Sequence, residues 1–484
     1  MDRSTNKQAL IAVDLGAQSC RVSLLRWRDS TPEIQEIHRF PNAPVATENG
    51  LRWDIRRIVD GVMTGLRMCA DAAPPGIASI GIDGWGVDYV RVDRDGKPMG
   101  DPYCHRDERT TKAMEQVFQH ISPERLYALT GIQILELNTI FQLYADQQAG
   151  IDAGARWLNL PEYVSYVLGG RAVSEYTNAT HTQLVTLGKH EWCDEIFEAT
   201  GLARSAAPEI AAPGTVIGRV RGELSRIAQF SDTKLIVPAC HDTASAISAI
   251  PATGNDWAFI SSGTWSLVGT VLASPCVSDS AREMNFTNLG GVAGTICFLK
   301  NVNGMWLLRQ CMDEWEQRGY AWKLEELIRR CEQLPAPRIL IDVDEAPLMH
   351  PGDMLAKINA QLEAASAPQL EVNDEGIPAM ANVIFYSLAK RYADVLACVA
   401  RITGKKLRRL FIVGGGSKNG LLNRLTASCT GLEVIPGSSE CTTIGNFAIQ
   451  LAALEGHGEN GEGVTTDAVA HHAETLASHY LTNS

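Results

Sequence analysis

The chain has 484 residues, 45% hydrophobic and 20% charged, too long for one ordinary core at roughly 100–200 residues per domain and too apolar for a disordered polymer. Its formal net charge of −13 opposes binding to nucleic acid or to an anionic membrane, because affinity for phosphates comes largely from Lys and Arg. Twelve cysteines lie scattered from Cys20 to Cys441 with no C-x-x-C pair, which excludes the usual zinc and redox motifs and leaves reduced, mostly buried thiols.

The first residues, through Gly16, lack the ~7–15-residue apolar stretch of a secretory signal, and no run approaches the ~18 residues of a membrane span, so a cytoplasmic protein is expected. Strand spacing covers Ala9 to Val13, breaks at a tight turn over Asp14-Leu15-Gly16-Ala17-Gln18-Ser19, and resumes from Arg21 to Trp27 and Glu33 to Phe40. Asp54 then offers an N-cap, and Ile55, Ile58, Val59, Val62, Met63, Leu66 and Cys69 repeat at the spacing of an amphipathic helix. A buried-type strand follows from Ile77 to Ile82, then the turn Asp83-Gly84-Trp85-Gly86 and a strand from Val87 to Val92. Farther on, the apolar strand Leu235 to Pro238 leads into His241-Asp242-Thr243.

Turn chemistry over Pro213–Lys234 and Pro251–Asp256 places a boundary near residue 248, giving expected domains 1–248 and 249–484. The second half echoes the first: strand Trp257 to Ile260, turn Ser261-Ser262-Gly263-Thr264, strand Trp265 to Leu272. A helix around Ala381 to Ala400 precedes the strand Leu410 to Val413, the triplet Gly414-Gly415-Gly416 and a helix carrying Leu421, Leu422 and Leu425. Glu345 to Asp374 is acidic and Pro-containing, and reads as a solvated excursion.

Four of these turns carry candidate chemistry. The first combines Asp14, a close-approach glycine and Ser19, so its backbone N–H groups can hold phosphate oxygens while Asp14 meets a phosphate-bound magnesium ion. An ordinary hairpin uses the same residues, and the second turn at Ser261–Thr264 is what favours the phosphate reading. The glycine triplet, lying after a strand and before a helix, suits a nucleotide against bare backbone, although G-x-G-x-x-G is incomplete at Asn419 and a plain tight turn fits equally. Asp242 is a candidate general base for a sugar hydroxyl, and also a candidate helix cap. Asp83, Trp85 and Asp88 offer carboxylates and an indole face suited to a polyol, or a hairpin with a core tryptophan.

Other motifs fail. His105-Arg106-Asp107 resembles a protein-kinase catalytic loop, but Lys112 stands where Asn is required, so Arg106 and Asp107 read as a polar loop near substrate. No G-x-x-x-x-G-K-[ST] loop, H-E-x-x-H or G-x-S-x-G is present.

Taken in order, the segments resemble the FGGY carbohydrate kinases from about Ala12 to Leu451. Further stretches that carry the resemblance are Trp53-Asp54, Arg106-Asp107 with Arg109, Asn138-Thr139, Leu299-Lys300-Asn301 and Gly445-Asn446. Tyr176-Thr177-Asn178-Ala179-Thr180 and His241 to Ala246 are similar to the branch acting on L-rhamnulose rather than on xylulose or glycerol. The resemblance implies an α/β fold of two ribonuclease-H-like, actin-like domains around a central cleft, closing on sugar and ATP. It implies Asp242 as base, His241, Thr243, Gly86 and Asn301 around the sugar, and Ala17, Gln18, Ser19, Cys20, Arg21, Thr264 and Gly415 on ATP. The expected reaction is MgATP-dependent phosphorylation of the C1 hydroxyl of L-rhamnulose by a monomer or homodimer. L-Fuculose or L-ribulose is the alternative substrate, and a non-catalytic actin-like nucleotide module the alternative class. The chain departs from the family at Gln18-Ser19-Cys20, where Ser-Ser-Gly is usual, at Gly84, where threonine is usual, and at Arg309, where an ATP-contacting glutamine stands.

Overall fold

In a computed structural model, which describes residues 8–29, 31–152, 154–350, 352–457 and 463–480, the apolar run Ala9–Leu15 is buried along its whole length. That is the burial of a central strand covered on both faces. The first seven residues, part of the stretch read as lacking a secretory signal, lie outside the described residues. Ala9–Leu15 pairs antiparallel with Ser19–Arg28, which pairs antiparallel with Thr31–Pro41. On its other side it runs parallel to Ile77–Gly84, which is parallel to Lys234–Ile236, and Val216–Arg219 closes that edge. The helix Ile55–Ala72 begins where the Asp54 side chain accepts the Arg57 N–H at 2.9 Å, and it buries Ile58, Val62, Leu66 and Cys69 in the core of this sheet.

The strand order returns in the second half. Thr31–Pro41, Ser19–Arg28, Ala9–Leu15, Ile77–Gly84, Lys234–Ile236 is one series; Ile296–Asn303, Trp265–Leu272, Trp257–Ser262, Arg409–Val413, Glu433–Pro436 is the other. In both, the first hairpin strand pairs antiparallel with the second and parallel with a strand that follows a long excursion. The echo read from the sequence is therefore a repeated α/β fold of the ribonuclease-H-like kind.

By compactness the chain forms two units: Met1–Ala252 with Val271–Phe298 and Cys441–Ser484, and Thr253–Thr270 with Leu299–Glu440. These cut the chain differently from a linear division at residue 248. The reason lies in the helix Cys441–Ala452, whose polar face bonds into the first sheet. Gln450 donates to the Ile11 carbonyl at 3.0 Å and accepts from the Ser79 hydroxyl at 2.7 Å, and Asn446 donates to the Gly81 carbonyl at 3.3 Å. A Cβ on Gly81 would sit 2.4 Å from the Asn446 amide oxygen, so this strand needs a glycine there.

Two expectations change. Val87–Val92 does not continue from Ile77–Ile82 as a paired hairpin. Instead, Tyr89–Val92 pairs with Arg156–Asn159 in a separate two-stranded sheet, and Val87 takes a left-handed φ of 69° with its carbonyl held by Thr139 and Gln142. The segment Glu345 to Asp374 is also more than a solvated excursion: within it Met354–Ala364 is a helix that buries Met354, Leu355, Ile358 and Leu362. Charge at its ends masked that apolar spacing.

Helix Cys441–Ala452 also lies tight against Asp242–Ser248, because a Cβ on Gly445 would stand 1.8 Å from the Ser245 carbonyl oxygen. Gly445→Ala is expected to cost about 1–3 kcal/mol through overpacking, measured as a lowered urea midpoint with unchanged m-value.

Candidate functional site

In the first unit, the carboxyl ends of adjacent parallel strands gather three aspartates. Asp14 and Asp83 are register partners on Ala9–Leu15 and Ile77–Gly84, which puts neighbouring strands ~4.8 Å apart and their side chains on one face. Gly84 is bridged to His241 and donates its N–H to the Cys240 carbonyl at 2.9 Å, so the strand that carries Asp83 also seats the segment leading to Asp242. Asp242 opens the helix Asp242–Ser248. The carboxyl edge of an open parallel sheet is where α/β proteins ordinarily hold ligands.

Each aspartate has a different partner. Asp14 is paired with the Arg21 guanidinium. Asp83, with no exposed surface, accepts the Asn446 amide at 2.6 Å through Oδ2, while its Oδ1 has no hydrogen-bond partner. Burial, then the charge of Asp14, pushes its carboxyl well above the usual range, against the Asn446 hydrogen bond. Asp242 accepts the Thr243 backbone N–H and, at 3.1 Å, its hydroxyl. Desolvation, then Asp14, pushes Asp242 up to about 7; its side chain keeps 36% of its surface accessible, so water screens part of that push.

Beside this edge, Gly86, His181 and His241 form one wall. A Cβ on Gly86 would fall 2.2 Å from His181 Nδ1, so only glycine admits the imidazole. The His181 and His241 rings lie 4.6 Å apart, and neither Nδ1 has a hydrogen-bond partner. Burial lowers His181 to about 4 and His241 well below the ordinary histidine range, so both rings are neutral at pH 7 and each offers one donor and one acceptor nitrogen.

Trp85 lies deeper than its place in the turn suggests. It is 8% exposed, its ring is 4.6 Å from Trp53, and both indoles donate to Asp88 Oδ2, at 2.8 and 2.7 Å. His105 Nδ1 reaches the same oxygen at 2.8 Å, fixing the ring's orientation. Burial pushes the Asp88 carboxyl up, but the His105 charge and these hydrogen bonds outweigh it and hold it below the usual range. Of the His105-Arg106-Asp107 loop, Asp107 is taken up by the Leu51 and Arg109 backbone N–H groups, and Arg109 by Asp146 at 2.6 Å.

The first turn is shaped by Gly16, where a Cβ would meet the Ser19 carbonyl oxygen at 2.4 Å. Ala17 and Ser19 are half-buried and Gln18 is exposed. Ser19 Oγ accepts from Arg39 at 3.2 Å. Cys20 points into the core with no exposed surface and its thiol pushed up to about 12, by burial and then Asp14. It therefore offers this turn its backbone, not a thiolate.

In the second unit, Gly414, at φ +82°, and Gly416 press on Ser262: Cβ atoms there would meet its carbonyl oxygen at 2.8 Å and its hydroxyl at 2.0 Å. Gly415 is exposed, with nothing within 4 Å of where a Cβ would stand. Thr264, half-buried, sits on the same hairpin as Ser262, and its carbonyl accepts the Trp306 N–H at 3.2 Å. Asn301, half-buried on Ile296–Asn303, also belongs to this unit. Arg309 is exposed and paired with Asp313 at 3.0 Å.

Sequence reasoning missed His181, His105 and the partnership of Asn446 with Asp83. His181 directly follows the Tyr176–Thr180 stretch, and His105 was read only as part of a kinase-like triplet. Nothing local in the sequence links residues 83 and 446.

A model of the N-terminal domain of the FGGY family of carbohydrate kinases matches residues 9–248, and one of the family's C-terminal domain matches residues 258–454. The chain is 37% identical to a rhamnulokinase of Bacteroides thetaiotaomicron, over 93% of this chain and 91% of that protein. It is 36% identical to a rhamnulokinase of Enterococcus faecalis, over 92% and 90%. Among solved structures, a ligand-bound xylulose kinase from Lactobacillus acidophilus superimposes with a TM-score of 0.75 at 16% identity, covering 98% of each chain. The ADP-bound glycerol kinase of Plasmodium falciparum gives 0.73 at 14% identity, covering 96% of this chain and 92% of that one.

The raised Asp83 carboxyl makes a stability test. A carboxyl whose folded pKa exceeds its unfolded value stabilises fully below the unfolded pKa, and that contribution is lost as pH rises from about 4 toward the folded value. Asp83→Asn removes the charge and keeps an acceptor for Asn446. The variant's stability relative to the parent should therefore be higher at pH 8 than at pH 5, read from paired urea titrations; an equal difference at both pH values would contradict the raised Asp83 carboxyl.

Proposed function

The chain belongs to the FGGY family of carbohydrate kinases, and from that premise we propose that it transfers the γ-phosphoryl group of ATP to the C1 hydroxyl of L-rhamnulose. The observation that carries this reading is the meeting of Asp242 with the Gly86, His181 and His241 wall at the carboxyl edge of the first sheet. The rhamnulokinase relatives support the choice of sugar.

In the proposed reaction, the C1 hydroxyl oxygen attacks the γ-phosphorus, its proton passes to an Asp242 oxygen, and the bond from phosphorus to the β,γ-bridging oxygen breaks to release ADP. A carboxyl raised to about 7 suits this task, since it is largely ionised just above neutrality yet basic enough to accept a proton. His241 and Thr243 flank the base; with Gly86, Asp83 and Asn301 they are assigned to the sugar, and Trp85 is assigned to the wall behind it. The amides of Ala17, Gln18, Ser19, Cys20 and Arg21 are assigned to ATP phosphates, Thr264 and Gly415 to the rest of the nucleotide. Open space above Gly415 and the glycine-shaped first turn support those assignments.

Magnesium fits the donor chemistry at Asp14, a hard carboxylate at the carboxyl edge of the first sheet beside the glycine-shaped turn assigned to the ATP phosphates. Among the described residues, the only trio of His, Cys, Asp or Glu ligand atoms within 4.8 Å of one another is Asp88, Cys104 and His105; there the Asp88 oxygen already accepts two indoles. Asp14 would thus hold Mg2+ through one carboxylate and waters, as this ion prefers, and the bound ion would neutralise charge on the phosphates. The proposal extends to domains 1–248 for sugar and phosphate and 249–484 for nucleotide, a cytoplasmic location, and a monomer or homodimer. No described helix is long and apolar enough to cross a membrane.

Asp242→Asn is expected to lower kcat by about 10²–10⁴-fold while ATP binding persists; parental turnover would remove Asp242 from the mechanism. In the parent, kcat/KM should fall as pH drops below about 7, where the Asp242 base becomes protonated. ADP release across L-rhamnulose, L-fuculose, L-ribulose and D-xylulose ranks the substrates by kcat/KM. Preference for another ketose would keep the mechanism and overturn the sugar; no stimulation by any of them would overturn the kinase reaction proposed here.

A further inference from the structure

Next to the base lies a buried acidic pair that the proposed reaction does not use. Glu162 and Glu175 are 1% and 0% exposed, and neither forms an ion pair among the described residues. Carboxyls so placed are costly unless hydrogen bonds satisfy them, and here the donors lead to the catalytic segment. Glu175 Oε1 accepts the Thr177 N–H at 2.9 Å, and Oε2 accepts the Thr177 hydroxyl and, at 2.8 Å, the Cys240 N–H. The Thr177 hydroxyl in turn accepts the His241 N–H at 3.2 Å. Glu162 fixes the other end, accepting the Glu175 N–H at 3.0 Å and the Asn178 amide at 3.0 Å.

We propose that Glu175 and Thr177 are positioning residues that hold the Cys240-His241 backbone, and through it the Asp242 carboxylate, in the geometry for proton transfer. The inference rests on reading Asp242 as the base. Two consecutive N–H groups, at Cys240 and His241, are captured before the helix Asp242–Ser248 begins. Those two donors precede the first helical residue, so intrahelical bonds cannot take them up. The captures fix the peptide planes immediately ahead of Asp242, and hence the direction in which its side chain leaves the backbone. The Tyr176–His181 turn that supplies Thr177 also supplies His181, so one device aligns the base and the wall facing it. Burial, followed by weaker opposing bonds from Thr177, pushes Glu175 up to about 8, and burial pushes Glu162 up to about 7; neither is exposed to exchange a proton with substrate.

The test compares Thr177→Val, Thr177→Ser and Glu175→Gln with the parent and with Asp242→Asn, using MgATP and the sugar the parent turns over best. Rates are normalised to ATP-binding sites titrated in each preparation, so a merely unstable variant loses sites rather than kcat. Losing the Thr177 hydroxyl, with both of its hydrogen bonds, should lower kcat on the order of tenfold in Thr177→Val, with KM for ATP unchanged, and Thr177→Ser should restore it. Glu175→Gln, which replaces one acceptor by a donor without changing shape, should fall likewise and carries the test if Thr177→Val does not fold. Parental kcat in Thr177→Val and Glu175→Gln, beside an inactive Asp242→Asn, would overturn the positioning role alone. Parental kcat in Asp242→Asn would overturn the base and this inference with it.

Discussion

Like charges gathered where water is scarce repel strongly, and the first unit is arranged around containing that repulsion at Asp14, Asp83 and Asp242. Each carboxylate has a distinct restraint: a guanidinium on Asp14, a neutral amide on Asp83, and the neighbouring backbone and hydroxyl of Thr243 on Asp242. Much of the surrounding architecture follows. Asn446 has to reach Asp83, so the chain returns to this sheet after completing the second unit. Its amide oxygen then occupies the space over Gly81, and Gly445 lets the returning helix lie against Ser245. Two glycines, an asparagine and a chain crossover thus trace to one electrostatic need.

The neutral side of the site obeys a different rule. His181 and His241 are crowded together and desolvated, which keeps both uncharged. A protonated ring there would add a cation beside Asp242, whose carboxyl is raised by burial and then by the charge of Asp14. Asp88 performs the complementary task farther out, drawing two indoles and His105 onto one oxygen, so the aromatic wall is held by a single buried acceptor. Most polar groups in this region are hydrogen-bonded, and Asp83 Oδ1 and the two histidine Nδ1 atoms stand out among those without a partner.

What was legible in the sequence was local. The strands around Asp14, the helix after Asp54, and the strand, glycine triplet and helix near residue 414 are written in spacing and turn chemistry, and the structure has them. The echo of the two halves was legible too, because both begin with a hairpin turned by small polar residues. Pairing was not legible: the sequence marks a strand over Val87–Val92 without saying that the partner of its Tyr89–Val92 part is Arg156–Asn159. Glu345 to Asp374 was misread because acidic ends hid the buried face of Met354–Ala364. Of the candidate site, Asp14, Asp83, Gly86, His241 and Asp242 were singled out from local turns and all lie in the first unit, whereas His181 was passed over one residue beyond a stretch already singled out. Asn446 was noted only within the Gly445-Asn446 stretch, and nothing local marks its bond to Asp83, 363 positions away, because that partnership exists only once the sheet is assembled.

The bond from Gln450 to the Ile11 carbonyl spans 439 positions, and so bears on the order in which the molecule is made. Ile11 is synthesised long before Gln450 and must wait for the 439 positions between them before this donor exists. During that interval the strand edge and the Asp83 carboxyl lack their last covering helix, while the second unit, Thr253–Thr270 with Leu299–Glu440, is complete in sequence before Cys441 appears. The unit begun first is therefore finished last. A nascent chain interrupted before Cys441 would carry the aspartates without the amide that restrains one of them, which ties assembly of the acidic cluster to translation through Asn446.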